Sequence, residues 1–242
     1  TRGRQFKETI ESVDIESDSS SFYVRTVMKE EQSADTLKVS CSSDLKDVTK
    51  NTTIELIDDI DLCDTNPLNL DIFTGDLHGN GHSISNLSGS LFSVVNGSLI
   101  EDIILKNPNI NGEILAESIA KSTVRSVEIQ KENMIVESTQ EAISVVEKAK
   151  SSTMKDFSIH LSLDNDELSF YGICRYLQNS TISDCNVYVI VKDCITFNGI
   201  SNVMKNNSSI KNCHCSGEVN ADIMKGLVWS VTDSDIRRSY TI

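Results

Sequence analysis

Apolar positions along most of the chain recur on a period far too long for a single helix or strand. The period shows when the sequence is aligned on one serine: Ser98, Ser122, Ser152, Ser180, Ser208 and Ser234, spaced by 24, 30, 28, 28 and 26 residues. Two positions after it stand Ile100, Val124, Met154, Ile182, Ile210 and Ile236. Five positions after it stand Ile103, Val127, Phe157, Cys185, Cys213 and Ser239, and seven after it Leu105, Ile129, Ile159, Val187, Cys215 and Thr241. All but Ser239 and Thr241 are apolar or cysteine. The pattern extends upstream through Ser90-Leu91, Ile114-Leu115, Gly172-Ile173 and Gly226-Leu227, with Ala142-Ile143 and Gly199-Ile200 matching after a small insertion.

Each unit reads as a short strand, an Asn/Ser/Asp/Lys turn such as Gln178-Asn179-Ser180, and a second strand that alternates in and out. A unit this short cannot bury its apolar face alone, so the repeats must stack, each strand beside its own copy at about 4.8 Å per turn. The expected fold is therefore all-β: a parallel β-helix, or solenoid. The Leu-x-x-Leu-x-Leu-x-x-Asn signature of leucine-rich repeats is missing. Glu137–Lys150 also has an amphipathic helical reading, with Ala142, Ile143, Val146 and Ala149 on one face, but its match to residues 199–203 favours the strand.

Upstream, Leu37–Val39, Thr53–Ile57 and Ile60–Leu62 read as earlier strands, followed by a glycine turn at Gly79-Asn80-Gly81. Here the sequence resembles the right-handed β-helix repeats of bacterial surface proteins, often of the Gly-Leu-x-Gly (GLUG) type. The matching positions are Phe73, Gly75, Gly79, Asn80, Gly81, His82, Ile84 and Leu87, after a leading Asp58-Asp59-Ile60-Asp61-Leu62. His78 stands where those repeats have Asp, and Leu77 where they have an aromatic. The resemblance implies a right-handed solenoid over residues 37–242. Residues 1–36 fall outside the ladder; Val13/Ile15 and Phe22/Val24 alternate as in a hairpin that caps the first turn. The resemblance places such modules in adhesins, large surface peptidases and carbohydrate-active proteins, at the cell surface or secreted.

Composition narrows the partners. The 242 residues carry 22 Lys+Arg against 36 Asp+Glu, a net charge of −14, which argues against a nucleic-acid groove or an anionic membrane surface. No apolar run approaches the length of a membrane span. The chain opens at Thr1 without an initiator Met and Ile242 falls in mid-strand, so the expectation is a segment of a longer chain. Seven cysteines include no CxxC pair; Cys185 and Cys213 share one ladder position and are expected to form a buried thiol ladder, with a disulfide as the alternative. Six Asn-x-Ser/Thr sequons, at Asn51, Asn86, Asn96, Asn179, Asn206 and Asn207, sit mostly in turns where turn chemistry explains them as well as glycosylation does.

Candidate chemistry is sparse. His78, His82 and Asp76 read as a turn rather than a metal site, so no metal is expected there. Asp58, Asp59, Asp61, Asp64 and Asp71 read as a solvated acidic face, with calcium as the alternative. No other cofactor is expected. The positions four after the repeat serine are Asp102, Ser126, Asp156, Asp184, Asn212 and Arg238, and six after it Ile104, Glu128, Ser158, Asn186, His214 and Tyr240. A strip of Asp156, Asp184, Asn186, Asn212, His214, Arg238 and Tyr240 is the candidate cradle for an extended polar ligand. Asp156, Asp184 and His214 are the catalytic candidates if the strip hydrolyses or cleaves polysaccharide. HExxH, GxSxG, P-loop and dinucleotide fingerprints are missing. The expected function is a non-catalytic adhesion or stalk module that binds a host or matrix protein or a glycan. The alternatives are a polysaccharide-active enzyme and a non-catalytic segment of a surface peptidase.

Overall fold

The computed structural model describes residues 10–18, 21–28, 35–66, 68, 70–108, 112–135, 142–164, 168–191 and 193–242. The chain forms two compact units, Thr1–Ala34 and Asp35–Ile242. In the first, Ile10–Asp18 pairs antiparallel with Ser21–Met28, Ile15 opposite Val24 and Ser17 opposite Phe22. Its side chains, and with them the expected capping of the first turn, lie outside the described residues.

The second unit is a parallel β-solenoid of about six turns. One face is a parallel sheet running from Phe92–Asn96 through Glu113–Ala120, Ser144–Lys150, Cys174–Gln178 and Ser201–Lys205 to Val228–Val231. A second, larger sheet begins at Thr36–Val39 and Thr53–Leu56. It continues through Leu99–Lys106, Thr123–Ile135, Thr153–Asp164, Thr181–Ser183 and Ser209–Lys211 to Asp235–Arg237. It turns a corner into Asn186–Val191, His214–Val219 and Tyr240–Thr241. A short third sheet stacks Ser169–Phe170, Thr196–Asn198 and Ile223–Lys225.

The serine period sets the register. Ile100, Val124, Met154, Ile182 and Ile210 lie side by side and fully buried. Leu105, Ile129, Ile159, Val187 and Cys215 do the same around the corner. The repeat serine itself is a buried hydrogen-bond ladder. The backbone N–H of Ser98 donates to Ser122 Oγ (3.2 Å), that of Ser122 to Ser152 Oγ (3.2 Å), that of Ser152 to Ser180 Oγ (3.0 Å), and so on to Ser234. From Ser122 onward each hydroxyl also donates to a carbonyl two or three residues before it in its own turn. A serine therefore satisfies an N–H at a corner where the backbone is turning and cannot form a regular ladder bond.

The corners are left-handed. Just before the serine, Gly97, Lys121, Ser151, Asn179, Asn207 and Asp233 all have positive φ. Four residues after it, Asp102, Ser126, Asp156, Asp184, Asn212 and Arg238 have φ between 51° and 56°. After glycine, Asn and Asp tolerate this conformation best, which accounts for their enrichment at both corners. It also accounts for four of the sequons. Asn96, Asn179, Asn206 and Asn207 sit at or beside the serine corner, and the hydroxyl two residues on from Asn96 and Asn206 is a buried ladder serine.

One register expectation is corrected. Val145 and Val146, not Ala142 and Ile143, align with Ile173-Cys174 and Ile200-Ser201, because Val146 pairs with Cys174 and Cys174 with Ser201. Ile143 instead bridges Phe170, so an apolar triplet is shared between two faces of the same turn. Ser144–Lys150 is strand, as favoured over the helix, while residues 137–141 lie outside the described residues. The last turn differs from the others in exposure. Val231 and Ile236 are 44% and 37% exposed, where their ladder equivalents Met204 and Ile210 are at 0%.

Candidate functional site

The glycine motif sits where the larger sheet meets the second left-handed corner. Phe73 is fully buried, stacks on Phe92 with centroids 4.6 Å apart and bridges to Val95. A side chain at Gly75 would collide with Thr52 O, and one at Gly79 with Asp102 O at 2.2 Å. Gly79 and Gly81 both donate backbone N–H bonds into the next turn, to Glu101 O and Asp102 O. Asn80 and Gly81 have positive φ, and Asn80 Nδ2 caps Leu56 O. Ile84 and Leu87 are core. His82 closes the turn through its N–H to Gly79 O, and its ring lies 3.7 Å from Asp59 Oδ1. This packing brings Asn80-Gly81 against Asp102, at the head of the predicted strip.

The positions four after the serine stack in one column. Ser126 lies beside Asp156, because Arg125 pairs with Lys155 and Val127 with Phe157. Asp184, Asn212 and Arg238 follow, because Ser183, Lys211 and Arg237 are in register. Asn186, His214 and Tyr240 form the neighbouring column. All seven predicted strip residues therefore belong to two adjacent outward columns, six exposed and His214 half-buried. The residues of the first column differ from those of the second in being single left-handed residues, which set the side chain at the apex of the corner, whereas Asn186, His214 and Tyr240 lie in strands.

Charges along the strip pair with their neighbours in adjacent turns. Asn212 Nδ2 donates to Asp184 Oδ1 at 2.8 Å, and Lys155 Nζ lies 3.8 Å from Asp184 Oδ2 and 3.6 Å from Asp156 Oδ2. The Asn212 amide, with Ser183 and Lys155 adding to it, holds the Asp184 carboxyl below the usual carboxylate range. Three earlier turns contribute a second cluster that sequence patterning did not single out. Arg125 clasps Glu101 Oε2 through two donors, and His78 Nδ1 meets Glu101 Oε1 at 2.7 Å. The Arg125 guanidinium, then His78, lowers the Glu101 carboxyl. The His214 ring lies tilted against Tyr240 with centroids 4.5 Å apart, and among the described residues its buried Nε2 has no hydrogen-bond partner.

A shallow groove of about 660 Å³ follows the head of this strip, lined by Asn80, Gly81, Asp102, Ile104, Glu128, Asp156 and Ser158 among others. Of the predicted strip residues only Asp156 lines it. The groove was not legible in the sequence, because it depends on Asn80-Gly81 lying beside Asp102.

Outside the strip, burial, with Glu147 and Glu117 nearby, raises the Glu113 carboxyl, and Arg175 lies 4.7 Å from the Tyr171 ring centroid. Cys185 and Cys213 are both buried in adjacent turns, their flanking residues in register, and burial holds the Cys185 thiol well above its ordinary value. In the acidic segment, Asp59 Oδ1 accepts the Ser83 N–H and Asp61 Oδ1 accepts Cys63 N–H and Asn86 Nδ2. The side chain of Asp64 lies outside the described residues. Among the described residues no three His, Cys, Asp or Glu side chains come together as a metal site, and no helix is long and apolar enough to cross a membrane. No protein-family model matches the chain, and no curated protein matches it significantly.

Proposed function

We propose that the chain is a non-catalytic β-solenoid module of the GLUG-type surface class. It binds an extended polar ligand, a host or matrix protein or a glycan, along the left-handed corner strip, at a cell surface or after secretion. The observation that carries this reading is the state of the stacked carboxylates. A glycoside-cleaving pair needs one carboxyl kept protonated near working pH. In this column the Asn212 amide holds the Asp184 carboxyl below the usual carboxylate range, and Lys155 lies between Asp184 and Asp156. Such a column offers fixed acceptors at about 4.8 Å intervals, which suits an extended ligand lying along the axis. The net charge of −14 disfavours nucleic acid and anionic lipid as partners.

The test is a binding panel of matrix proteins and neutral and basic glycans against the immobilised chain. Asp156→Asn combined with Asp184→Asn should weaken the best ligand by about fivefold or more while leaving the circular dichroism spectrum unchanged. Binding indifferent to both changes, or no binding at all, would overturn the reading.

A further inference from the structure

Resting on the binding reading above, we propose that the groove beside Asn80-Gly81 docks an extended lysine- or arginine-rich peptide segment. The groove runs across three successive turns, from Asp102 past Glu128 to Asp156. That is an axial length of about 10 Å, or roughly three residues of extended chain. Half-buried Ile104 gives it an apolar floor, and Asp102, Glu128 and Asp156 form its acidic wall. No aromatic ring is among its lining residues, which removes the flat stacking face that would favour a sugar.

Charge decides the occupant. Beside the groove the strand register sets Arg125 between Glu101 and Lys155, and these two cations are the ones that pair with carboxylates there. Arg125 is committed to Glu101, and Lys155 lies between Asp156 and Asp184. Among the described residues Asp102 and Glu128 have no cation within ion-pairing distance, and Glu128 receives only the amide of Gln130. Two carboxylates on adjacent turns, neither with an ion pair of its own although the Arg125 charge is felt at Asp102, lie above an apolar floor and match a chain that alternates aliphatic stems with cationic heads. The glycine turn sets one edge of the groove, because only a residue without a Cβ at 79 lets Asn80-Gly81 pack directly on the Asp102 backbone.

The experiment titrates a fluorescent octalysine peptide into the 242-residue chain by anisotropy, with a Gly/Ser peptide and a neutral glycan as comparison probes. Three variants are measured, each checked by thermal melting. Asp102→Asn with Glu128→Gln removes the two carboxylates that have no ion pair of their own. Ser158→Trp fills the groove without changing charge. Asp47→Asn with Glu218→Gln makes the same charge change at exposed positions outside the lining. Octalysine binding is expected to weaken about fivefold or more in the first two and less than about twofold in the third. Raising salt should weaken it in the wild type. Equal losses in the first and third variants, or an unaffected Ser158→Trp, would overturn the inference, because the attraction would then be diffuse. A glycan that depends on Asp156 and Asp184, with octalysine indifferent to the groove, would sink the peptide site and leave the strip reading standing. Silence from every probe would sink both.

Discussion

Ser152→Ala is the sharpest test of the corner ladder. Ser152 Oγ accepts the Ser122 N–H at 3.2 Å and donates to Lys150 O at 2.9 Å, and both serines are about 95% buried, with 5% and 4% exposed. Removing the oxygen does not strand the carbonyl, because Lys150 O also accepts the Lys121 N–H at 3.0 Å. The cost therefore falls on the Ser122 N–H, left buried with no acceptor, at about 1–3 kcal/mol. Ser234→Ala deletes the same bond to the Ser208 N–H, but Ser234 is half-buried in the last turn and water can replace it. Its cost should stay below about 1 kcal/mol. Stacked repeats need not unfold in one step, so urea midpoints should be read together with amide exchange at Ser122. Exchange there should accelerate by roughly tenfold per 1.4 kcal/mol lost. Equal destabilisation by the two variants, or unchanged protection at Ser122, would refute the argument that the buried ladder, not serine propensity, holds the corner.

Three further outcomes follow from the same geometry. Gly79→Ala should destabilise more than Gly81→Ala, since a Cβ at 79 meets Asp102 O at 2.2 Å whereas one at 81 meets nothing and only suffers its φ of 78°. The milder change should cost about 1–2 kcal/mol, and thermal melts giving the reverse order would contradict the packing. Backbone N–H donors hold Asp59 and Asp61 below the ordinary carboxylate range, and the Asn212 amide does the same for Asp184. A carboxyl lowered on folding stabilises the fold above its unfolded pKa and loses that contribution as pH falls through the folded value. Urea midpoints should therefore hold steady down to about pH 4 and drop below it, and the triple Asn variant should flatten that drop. Burial pushes the thiols of Cys174 and Cys215 up to about 12 and that of Cys194 up to about 11, while Cys41 and Cys63 are exposed. Brief native alkylation near pH 8 should thus modify Cys41 and Cys63 alone by mass spectrometry, and rapid labelling of Cys185 or Cys213 would contradict their burial.

The ladder was legible because burial is periodic: the positions two and seven after the serine are apolar in turn after turn, and the structure buries them. The serine itself was visible as a marker but not as a hydrogen-bonding element, since nothing in a hydrophobic pattern records which N–H groups a corner strands. The left-handed corners left a faint trace in the Asp and Asn at 102, 156, 184 and 212. Lys121, Ser126 and Arg238 take the same conformation without it. Where two apolar pairs competed, as at Ala142-Ile143 and Val145-Val146, pattern matching chose the wrong one, because all four are compatible with the interior. The strip residues were found by position alone. The groove and the Glu101–Arg125–His78 cluster were not, because they join segments more than 20 residues apart, and only the stacking register brings them into contact.

The claim that the strip binds without cleaving is tested most directly by product analysis. The chain is incubated with a panel of acidic and neutral polysaccharides, and released reducing ends and unsaturated ends are measured alongside Asp184→Ala. The account predicts no release above the protein-free control in either protein. Product formation by the wild type that disappears in Asp184→Ala would contradict it and make the Asp156–Asp184 pair an active site.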